Sequence, residues 1–301
     1  MTQDLTLIPP ADTPSVSPEA ATPASAPELP VTIIERRPGW KFVDLGEMWR
    51  YRELLYFLVW RDVKVRYKQT VLGAAWAILQ PLTMMIVFSL FLGRLGNMAH
   101  GDWPYPLFVF AGLLPWTFFA TAIAQAGSSV IGNQNLVTKV YFPRLFIPLG
   151  AVGAALVDLA IACGMLAVLM LYYGVWPAGA VVLLPVLVLM LAVAATGVGV
   201  MLSALTVAYR DFRYVVPFLV QIWMFATPTI YMQADKVVSP KWHSVLPLNP
   251  VFGLILNFRQ AALGGPLDWY AFTVSSAVSL VLLLVGCLYF RRVERSFADI
   301  I

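Results

Sequence analysis

Four basic side chains lie close together just before the first long apolar segment of the chain. They belong to the stretch WRDVKVRYKQTVLGAAWAILQPL, and they are Arg61, Lys64, Arg66 and Lys68. Guanidinium and ammonium groups bind phosphates and carboxylates, so this block can meet lipid headgroups or a partner protein. The pattern predicts either a membrane-surface anchor or a helix that docks a partner, and one helix can do both.

A single carboxyl group falls inside a long apolar segment. Asp158 lies near the middle of the apolar stretch 147–173. A charge at the centre of a bilayer costs about 2.5–3.5 kcal/mol, so such a residue usually faces the interior of a helix bundle or water. A structural hydrogen bond to Tyr, Ser, Thr or a backbone group is the favoured interpretation, and a proton relay is the alternative.

The sequence lacks the residue patterns of common enzymes. It contains no G-x-x-x-x-G-K-[ST] and no H-E-x-x-H, and its two histidines, His100 and His243, lie far apart. These absences predict no catalytic residue, no metal site and no cofactor on this chain. They favour a conduit or a scaffold. If transport is uphill, a second chain that hydrolyses ATP is the preferred energy source. A gradient-driven carrier is less favoured, because Asp158 is the one charged mid-span site and the two halves do not match.

The composition predicts an all-α membrane protein. Of 301 residues, 60% are hydrophobic and 12% are charged, whereas soluble domains carry about 25% charged residues. About 20 apolar residues are needed for one helix to cross the hydrocarbon core. Six segments qualify as transmembrane helices: 72–93, 105–130, 147–173, 179–206, 213–232 and 269–290.

The basic residues predict the orientation. Sixteen of the 20 Lys and Arg fall before the first span, between spans two and three, between spans four and five, or after span six. The positive-inside rule places these segments, and therefore both termini, in the cytoplasm. The net charge of +4 is accordingly interpreted as a sign of topology, and no nucleic-acid partner is predicted.

The regions outside the spans divide into four. Residues 1–34 hold seven prolines and predict a disordered tail. Residues 35–71 form a cytoplasmic segment with an amphipathic helix, residues 72–292 form the transmembrane domain, and 293–301 form a second cytoplasmic tail. On a helical wheel the apolar face of the first segment is composed of Tyr56, Val59, Trp60, Val63 and Tyr67.

A short helix is predicted on the outer side, within 233–268. In NPVFGLILNFRQAALGGP, Asn249 can cap a helix, Pro250 suits its first turn, and Gly264 can end it. At roughly 14 residues this helix is too short to cross the bilayer, which predicts a re-entrant or interfacial element. A plain surface loop is the alternative.

Several separated motifs resemble one family. RDVKVRYKQTVLGAAWAILQPL, NQNLVTKVYFPR, YRDFRYVVPFLVQIWMFATPTIY and LNPVFGLILNFRQAAL occur in the order found in ABC-2 type permeases that export polysaccharide. The resemblance runs from about residue 45 to the C-terminus. It is strongest to the membrane subunits of O-antigen exporters, with capsule and teichoic acid exporters as relatives.

The resemblance implies a six-span type II exporter fold that works as a homodimer in the inner (cytoplasmic) membrane. Each copy would dock a nucleotide-binding ABC ATPase subunit, which holds the ATP and Mg²⁺. An interface helix would lie around 52–68, a coupling helix around 135–144, and short extracytoplasmic gate helices within 233–263. The cargo would be a polysaccharide on a polyprenyl diphosphate, moved from the cytoplasmic to the outer face. Exporters of drugs or lipids, and a membrane enzyme acting on polyprenyl-linked sugars, are the alternatives.

The resemblance and the chemistry of the side chains together predict roles for individual residues, with topology and lipid headgroups as the alternative role of the arginines. The predicted contacts with the ATPase are Arg61, Lys64, Arg66, Lys68, Lys139 and Arg144. The predicted contacts with the lipid diphosphate are Arg61, Arg66 and Arg210. The predicted channel or gate residues are Trp116, Tyr231, Asn249, Pro250 and Arg259. Asp158 is the predicted buried polar residue of a span.

Overall fold

The architecture is all-helical. The structure, a computed structural model of the chain, describes residues 45–68, 70, 73–95, 103–177, 179–227, 244–294 and 297. The predicted disordered tail at 1–34 and the predicted gate residue Tyr231 lie outside the described residues. The helices are α1 Leu45–Arg50, α2 Arg52–Lys68, α3 Ala75–Phe88, α4 Tyr105–Gly132, α5 Gln134–Lys139, α6 Phe146–Tyr173, α7 Leu184–Ala208, α8 Phe212–Ala226, α9 Phe252–Leu263 and α10 Trp269–Glu294.

Within the described residues, five helical stretches are long and apolar enough to cross a membrane, which confirms the predicted fold class. They are Ala75–Gly93, Tyr105–Gly132, Phe146–Tyr173, Gly179–Ala208 and Trp269–Glu294. The first ends in a π-helical stretch, Ser89–Leu95, and the fourth begins with a 3₁₀ turn, Gly179–Leu183. The span predicted at 213–232 corresponds to the shorter apolar helix α8, and residues 228–232 lie outside the described part of the chain.

Helix α4 lies at the centre of the bundle. It packs against α6 and α7, and α7 packs in turn against α10. Phe110 and Phe119 of α4 are fully buried. The α7–α10 contact is close because Gly197 has no side chain: a Cβ atom there would lie 2.6 Å from the backbone nitrogen of Leu283. Small residues at such crossings let transmembrane helices approach and gain packing contacts.

One end of the bundle collects the segments that the charge pattern assigns to the cytoplasm, and it is called the inner end here. One apolar cluster joins the C-terminal end of α4, the α5–α6 segment and the C-terminal ends of α7 and α10, through Val130, Phe142, Phe146, Val207 and Phe290. The segments that meet at this end are the ones predicted to share a side of the membrane.

Helix α9 occupies the opposite, outer end and is well packed there. It contacts α4, α7 and α10. Trp103 donates its indole N–H to the carbonyl of Leu263 over 3.1 Å, which ties the start of α4 to the end of α9. Gly264 ends α9 with φ of 85°, a left-handed conformation that favours glycine, as predicted. A folded helix therefore replaces the alternative of a plain loop.

The start of α9 differs from the prediction. The α-helix begins at Phe252, so Pro250 lies before its first turn. The side-chain Oδ1 of Asn249 accepts the backbone N–H of Val251 over 3.2 Å and the indole N–H of Trp223 over 3.0 Å. Asn249 thus stabilises the turn that leads into the helix and also joins it to α8.

Candidate functional site

Helix α2 packs lengthwise against α6, and the two helices run in the same direction. Leu58 lies over Gly150 and Val59 lies over Gly153. A Cβ atom at Gly153 would approach Val59 Cγ2 to 2.6 Å, so the absence of a side chain permits this contact. As the chain advances along α2, its contacts advance along α6 toward the middle of the span.

The predicted apolar face of α2 is divided between exposed positions and contacts with α6. Tyr56 and Trp60 are 71% and 55% exposed, whereas Val59 lies against Gly153 and Tyr67 reaches Asp158. Leu58, which was not assigned to that face, is the buried residue of the helix and fits against Gly150. The placement of the face in the headgroup plane stays a prediction.

The C-terminal end of α2 reaches the buried carboxyl of α6. Arg66 forms an ion pair with Asp158, and the Tyr67 hydroxyl donates to the other carboxylate oxygen. The second guanidinium branch of Arg66 donates to the side-chain oxygen of Gln125 on α4. These four side chains, Arg66, Tyr67, Gln125 and Asp158, are called the polar junction below. Asp158 therefore has structural hydrogen bonds, as the sequence favoured. Its partners lie on α2, and Arg66 is 92 positions away from it in the chain.

The polar junction lies deep within the bundle. Asp158 is twelve residues beyond Phe146, the first residue of α6. At 1.5 Å per residue this corresponds to about 18 Å along the helix. The side chains of Arg66 and Asp158 are 27% and 20% exposed, so the ion pair is mostly buried but still accessible. The opposite charges offset the cost of placing either one at this depth.

Burial shifts the ionisation of both α2 residues of the junction. Burial lowers the pKa of the Arg66 guanidinium, while the neighbouring Tyr67 and Asp62 oppose that shift. Because the ordinary pKa of a guanidinium lies far above 7, Arg66 keeps its proton at pH 7. Burial raises the pKa of the Tyr67 hydroxyl, and Arg66 opposes that shift. Tyr67 consequently stays protonated and serves as the hydrogen-bond donor to Asp158.

A cavity of about 270 Å³ opens beside the polar junction, between α2, α3, α4 and α6. This space is called the junction cavity. The polar junction and the hydroxyls of Thr117 and Thr121 line one part of it, and Leu114, Phe118 and Leu159 line another. Thr117, Thr121 and Gln125 are four residues apart on α4, which places all three on one face of that helix.

Three of the residues in this region were missed by sequence reasoning. Gln125, Thr121 and Thr117 are uncharged, so nothing singled them out among the residues of an apolar span. The repeat of polar side chains at a spacing of four residues within α4 was the available signal. An apolar helix that carries a polar stripe directs that stripe toward protein or water rather than toward lipid.

The six residues predicted to contact the ATPase fall into two groups. Lys64, Lys68 and Lys139 are exposed at the inner end or on α2. Arg61 binds the neighbouring Asp62 at 2.7 Å, Arg66 belongs to the polar junction, and Arg144 donates to the backbone carbonyl of Glu294 over 2.7 Å. The role of all six as partner contacts stays a prediction.

The short helix α5 lies at the inner end with one side buried and the rest exposed. Val137 is buried and anchors it, while Lys139 is exposed and Tyr141, just after the helix, is 73% exposed. Arg144 then fastens the following segment to the end of α10. A surface that is apolar beneath and exposed above, on a rigid base, suits a contact with a second protein.

The three residues predicted to contact a diphosphate are placed differently from one another. Arg210 is exposed in the turn between α7 and α8. The guanidinium groups of Arg61 and Arg66 are each engaged by a carboxylate. The structure does not bring the three together into one described cluster of contacts, and their role stays a prediction.

The predicted channel and gate residues that are described lie in packed interior. Trp116 is 4% exposed, its ring lies tilted against that of Phe119 with the centroids 6.0 Å apart, and Pro250 is buried. Arg259 is 4% exposed, with its guanidinium 3.9 Å from the centre of the Phe108 ring. Asn249 donates to Thr227 over 2.8 Å. These contacts hold the outer end together, and a gating role for the residues stays a prediction.

Comparisons with known proteins agree on one family. The family model described as ABC-2 type transporter matches residues 53–263. The O-antigen export system permease protein RfbA of Myxococcus xanthus is 32% identical over 254 residues, which cover 84% of this chain and 97% of that protein. A protein of the same name from Klebsiella pneumoniae is 26% identical over 83% of this chain and 95% of its own length. The polysialic acid transport protein KpsM of Escherichia coli is 26% identical over 78% of this chain and 92% of its own length.

Proposed function

The chain belongs to the ABC-2 type transporter family, and from that premise we propose that it moves lipid-linked polysaccharide out of the cytoplasm. It is a multi-pass membrane protein and a transport subunit without an ATPase domain. Membership of this family implies partner subunits that hydrolyse ATP. The proposed cargo is a glycan of the O-antigen kind on a polyprenyl diphosphate, carried from the cytoplasmic to the outer face of the inner membrane.

The similarity to O-antigen export permeases over nearly their whole length is the observation that carries this proposal. A polar stripe on α4 supports it physically. In the most apolar 18-residue stretch of α4, 78% of the residues are buried inside the protein. The corresponding stretches of the other four long helices are at most 39% buried. Yet Thr117, Thr121 and Gln125 of this central helix remain half-buried, and Ser128 is exposed. A hydrated glycan needs hydroxyl and amide groups along its path, because it cannot cross hydrocarbon.

Two copies of the chain would enclose such a path. Helix α3 packs on α4 and α8 packs on α4, and both retain exposed apolar side chains. Phe218, Ile222 and Phe225 of α8 are 62%, 50% and 54% exposed. Six helices are few for a lumen that passes sugar rings, and a homodimer supplies twelve. We therefore propose that these helices meet a second copy rather than only lipid.

ATP and Mg²⁺ belong, in this proposal, to two separate ABC ATPase subunits. Each would press on the exposed surface of α5 and on the exposed part of α2. Because α5 leads directly into α6, and α2 is packed along α6, force applied to either helix acts on the same span. This arrangement supports coupling through α6.

The proposal is tested by reconstituting the chain with its partner ATPase in proteoliposomes loaded with lipid-linked polysaccharide. ATP should make the glycan accessible to an added glycosidase on the opposite face, and the permease without its partner should not. The matched control is the same complex with a non-hydrolysable nucleotide. ATP-driven movement of phospholipid or drug without movement of glycan would instead support the alternative exporters.

A capsule-type glycan is the second candidate cargo, favoured by the similarity to a polysialic acid transport protein. The same vesicles distinguish the two cargoes when they are loaded with an acidic capsule polymer and a neutral O-antigen polymer in parallel. Faster movement of the acidic polymer would favour the capsule type.

The coupling role of α5 has its own test. Lys139→Glu reverses an exposed charge, whereas Lys139→Gln only removes it. We expect the reversal to lower glycan-dependent ATP hydrolysis about tenfold with unchanged thermal stability, and the neutral variant to lower it less. Normal hydrolysis and export by Lys139→Glu would show that this charge has no part in docking.

A further inference from the structure

We propose that the junction cavity binds the sugar nearest the lipid in the exported glycolipid, and that it recognises hydroxyl groups rather than phosphate charge. The inference rests on the proposed function, because it names a subsite for that cargo. It differs from the expectation that Arg66 contacts the diphosphate. Four features of the junction cavity carry it: its net charge, its mixture of donors and acceptors, its apolar surfaces and its size.

The charge of the junction cavity is balanced. Among the described residues that line it, Arg66 and Asp158 are the two that are formally charged, and they form an ion pair with each other. A diphosphate is recognised by an excess of positive charge and by guanidinium forks with free donors. Here the carboxylate occupies the guanidinium and would repel a phosphate at the same position. The preferred occupant is therefore neutral.

The lining supplies both hydrogen-bond donors and acceptors. The guanidinium of Arg66 donates, the carboxylate of Asp158 accepts, and the amide of Gln125 can do both. The hydroxyls of Thr117 and Thr121 can also do both. A sugar hydroxyl donates one hydrogen bond and accepts others, so it matches this mixture better than a group that only accepts. Because Arg66, Asp158 and the Gln125 oxygen already bind one another, the Gln125 amino group and the two threonine hydroxyls are the main groups for a ligand.

The junction cavity also offers apolar surfaces beside its polar groups. Leu114, Phe118 and Leu159 line it together with Thr117 and Gln125. A sugar ring has hydroxyl groups at its edge and an apolar face, so a lining of both kinds suits it.

The size and the rim of the junction cavity fit a small head. A volume of about 270 Å³ lies just below the range of roughly 300–1,000 Å³ for small-molecule sites, which suits one sugar ring rather than a long chain. Trp76, which is 56% exposed, and Gln80, which is exposed, form the rim on α3. An indole face can pack against the apolar face of a sugar. The exposed side of α3 leaves an entrance for a lipid arriving from the membrane or from a second copy.

The test compares two lipids and two matched variants of the full-length chain in nanodiscs. The probes are a short-chain polyprenyl diphosphate that carries one sugar and the same polyprenyl diphosphate without sugar. Their dissociation constants are measured by native mass spectrometry at low and high salt. The double variant Thr117→Val and Thr121→Val removes two hydroxyls at nearly constant shape and leaves the Arg66–Asp158 pair in place. The control, Thr83→Val, removes an exposed hydroxyl of α3 that lies outside the junction cavity.

We expect wild type to prefer the sugar-bearing lipid about tenfold, the preference to survive high salt, and the double variant to reduce it to about twofold. Thr83→Val should keep the tenfold preference, and unfolding midpoints without lipid should show that all three chains are folded. Equal affinity for both lipids in wild type, or equal losses for both lipids in the double variant, would overturn the inference. If wild type still exports glycan in proteoliposomes, the proposed function survives that result. If it neither exports glycan nor binds either lipid, the proposed function fails as well.

Discussion

The chain places a shielded arginine in each of two short helices outside the long spans, and the surroundings of the two differ. Arg66, at the end of α2, pairs with Asp158 beside the junction cavity, and 27% of its side chain is exposed. Arg259, in α9, is 4% exposed and lies over the ring of Phe108. Arg66 thus faces a carboxylate and the junction cavity, while Arg259 faces an aromatic ring.

This difference separates a site with several hydrogen-bonding groups beside a cavity from a site packed against an aromatic ring. A carboxylate, an amide and a hydroxyl at the inner site can all form alternative hydrogen bonds with a ligand. Arg259 lies instead over the Phe108 ring within tightly packed surroundings. Burial lowers the pKa of Arg259 to about 10, so it still carries its charge at neutral pH and stabilises the outer end as a cation.

The largest expected effect is at the outer end. Arg259→Leu removes the cation from Phe108 and leaves a poorly filled space, so the free energy of unfolding should fall by about 2 kcal/mol or more. The measurement is the midpoint of thermal unfolding in detergent. Arg259→Lys keeps a cation on a smaller group, so it should lower the free energy of unfolding less. Export by the surviving folded fraction should be normal, and a stable Arg259→Leu protein that exports poorly would instead favour a gating role.

The second prediction concerns the inner pair. Asp158→Asn leaves the Arg66 charge without its counter-ion, and a fully buried pair broken in this way loses about 3–5 kcal/mol. Because this pair is partly exposed, a loss of about 1–2 kcal/mol is expected. The double exchange Arg66→Asp with Asp158→Arg should recover part of it. A double exchange no better than the single variant would show that the ion pair does not stabilise the junction.

Features that depend on neighbouring residues in the sequence were predictable, and contacts between distant segments were not. The spans follow from hydropathy, a local property, so five of the predicted spans match long apolar helices of the structure. Gly264 was rightly expected to end α9, and Lys139 is exposed, while its contact with an ATPase stays a prediction. The partners of Asp158 were not found, because they depend on α2 running along α6 in the same direction. Sequence reasoning placed Arg66 toward water or a partner, which is where an unpaired cation belongs.

The packing of α2 on α6 was not predictable for a related reason. A helical wheel ranks faces by hydrophobicity, and it does not say which residues of α2 meet α6. The packed residues are selected by the shape of α6, where Gly150 and Gly153 form a flat surface. Shape complementarity between two helices cannot be read from either helix alone, although paired glycines in a span are a sign of a close neighbour.

The third prediction tests that close contact. Gly153→Ala places a methyl group against Val59, and overpacking of this kind costs about 1 kcal/mol or more. Gly164→Ala is the matched control on the same helix, because a Cβ atom there meets no atom within 4 Å. The alanine at 164 should leave stability unchanged or raise it slightly, since alanine favours the helix. Equal unfolding midpoints for both variants would mean that α2 does not depend on this glycine.

The smallest expected effect belongs to a single hydroxyl of the polar junction. Tyr67→Phe removes the donor to Asp158 but keeps the ring, and the remaining pair with Arg66 still neutralises the carboxylate. A loss of about 0.5–1 kcal/mol is therefore expected in the free energy of unfolding. Tyr141→Phe, which alters a 73% exposed hydroxyl at the inner surface, serves as the control and should change nothing. A loss at Tyr67 as large as that of Asp158→Asn would mean that the hydroxyl, rather than the guanidinium, is the main partner of the buried carboxylate. The inner site would then owe its stability to a neutral hydrogen bond, and its contrast with the arginine of α9 would no longer rest on charge.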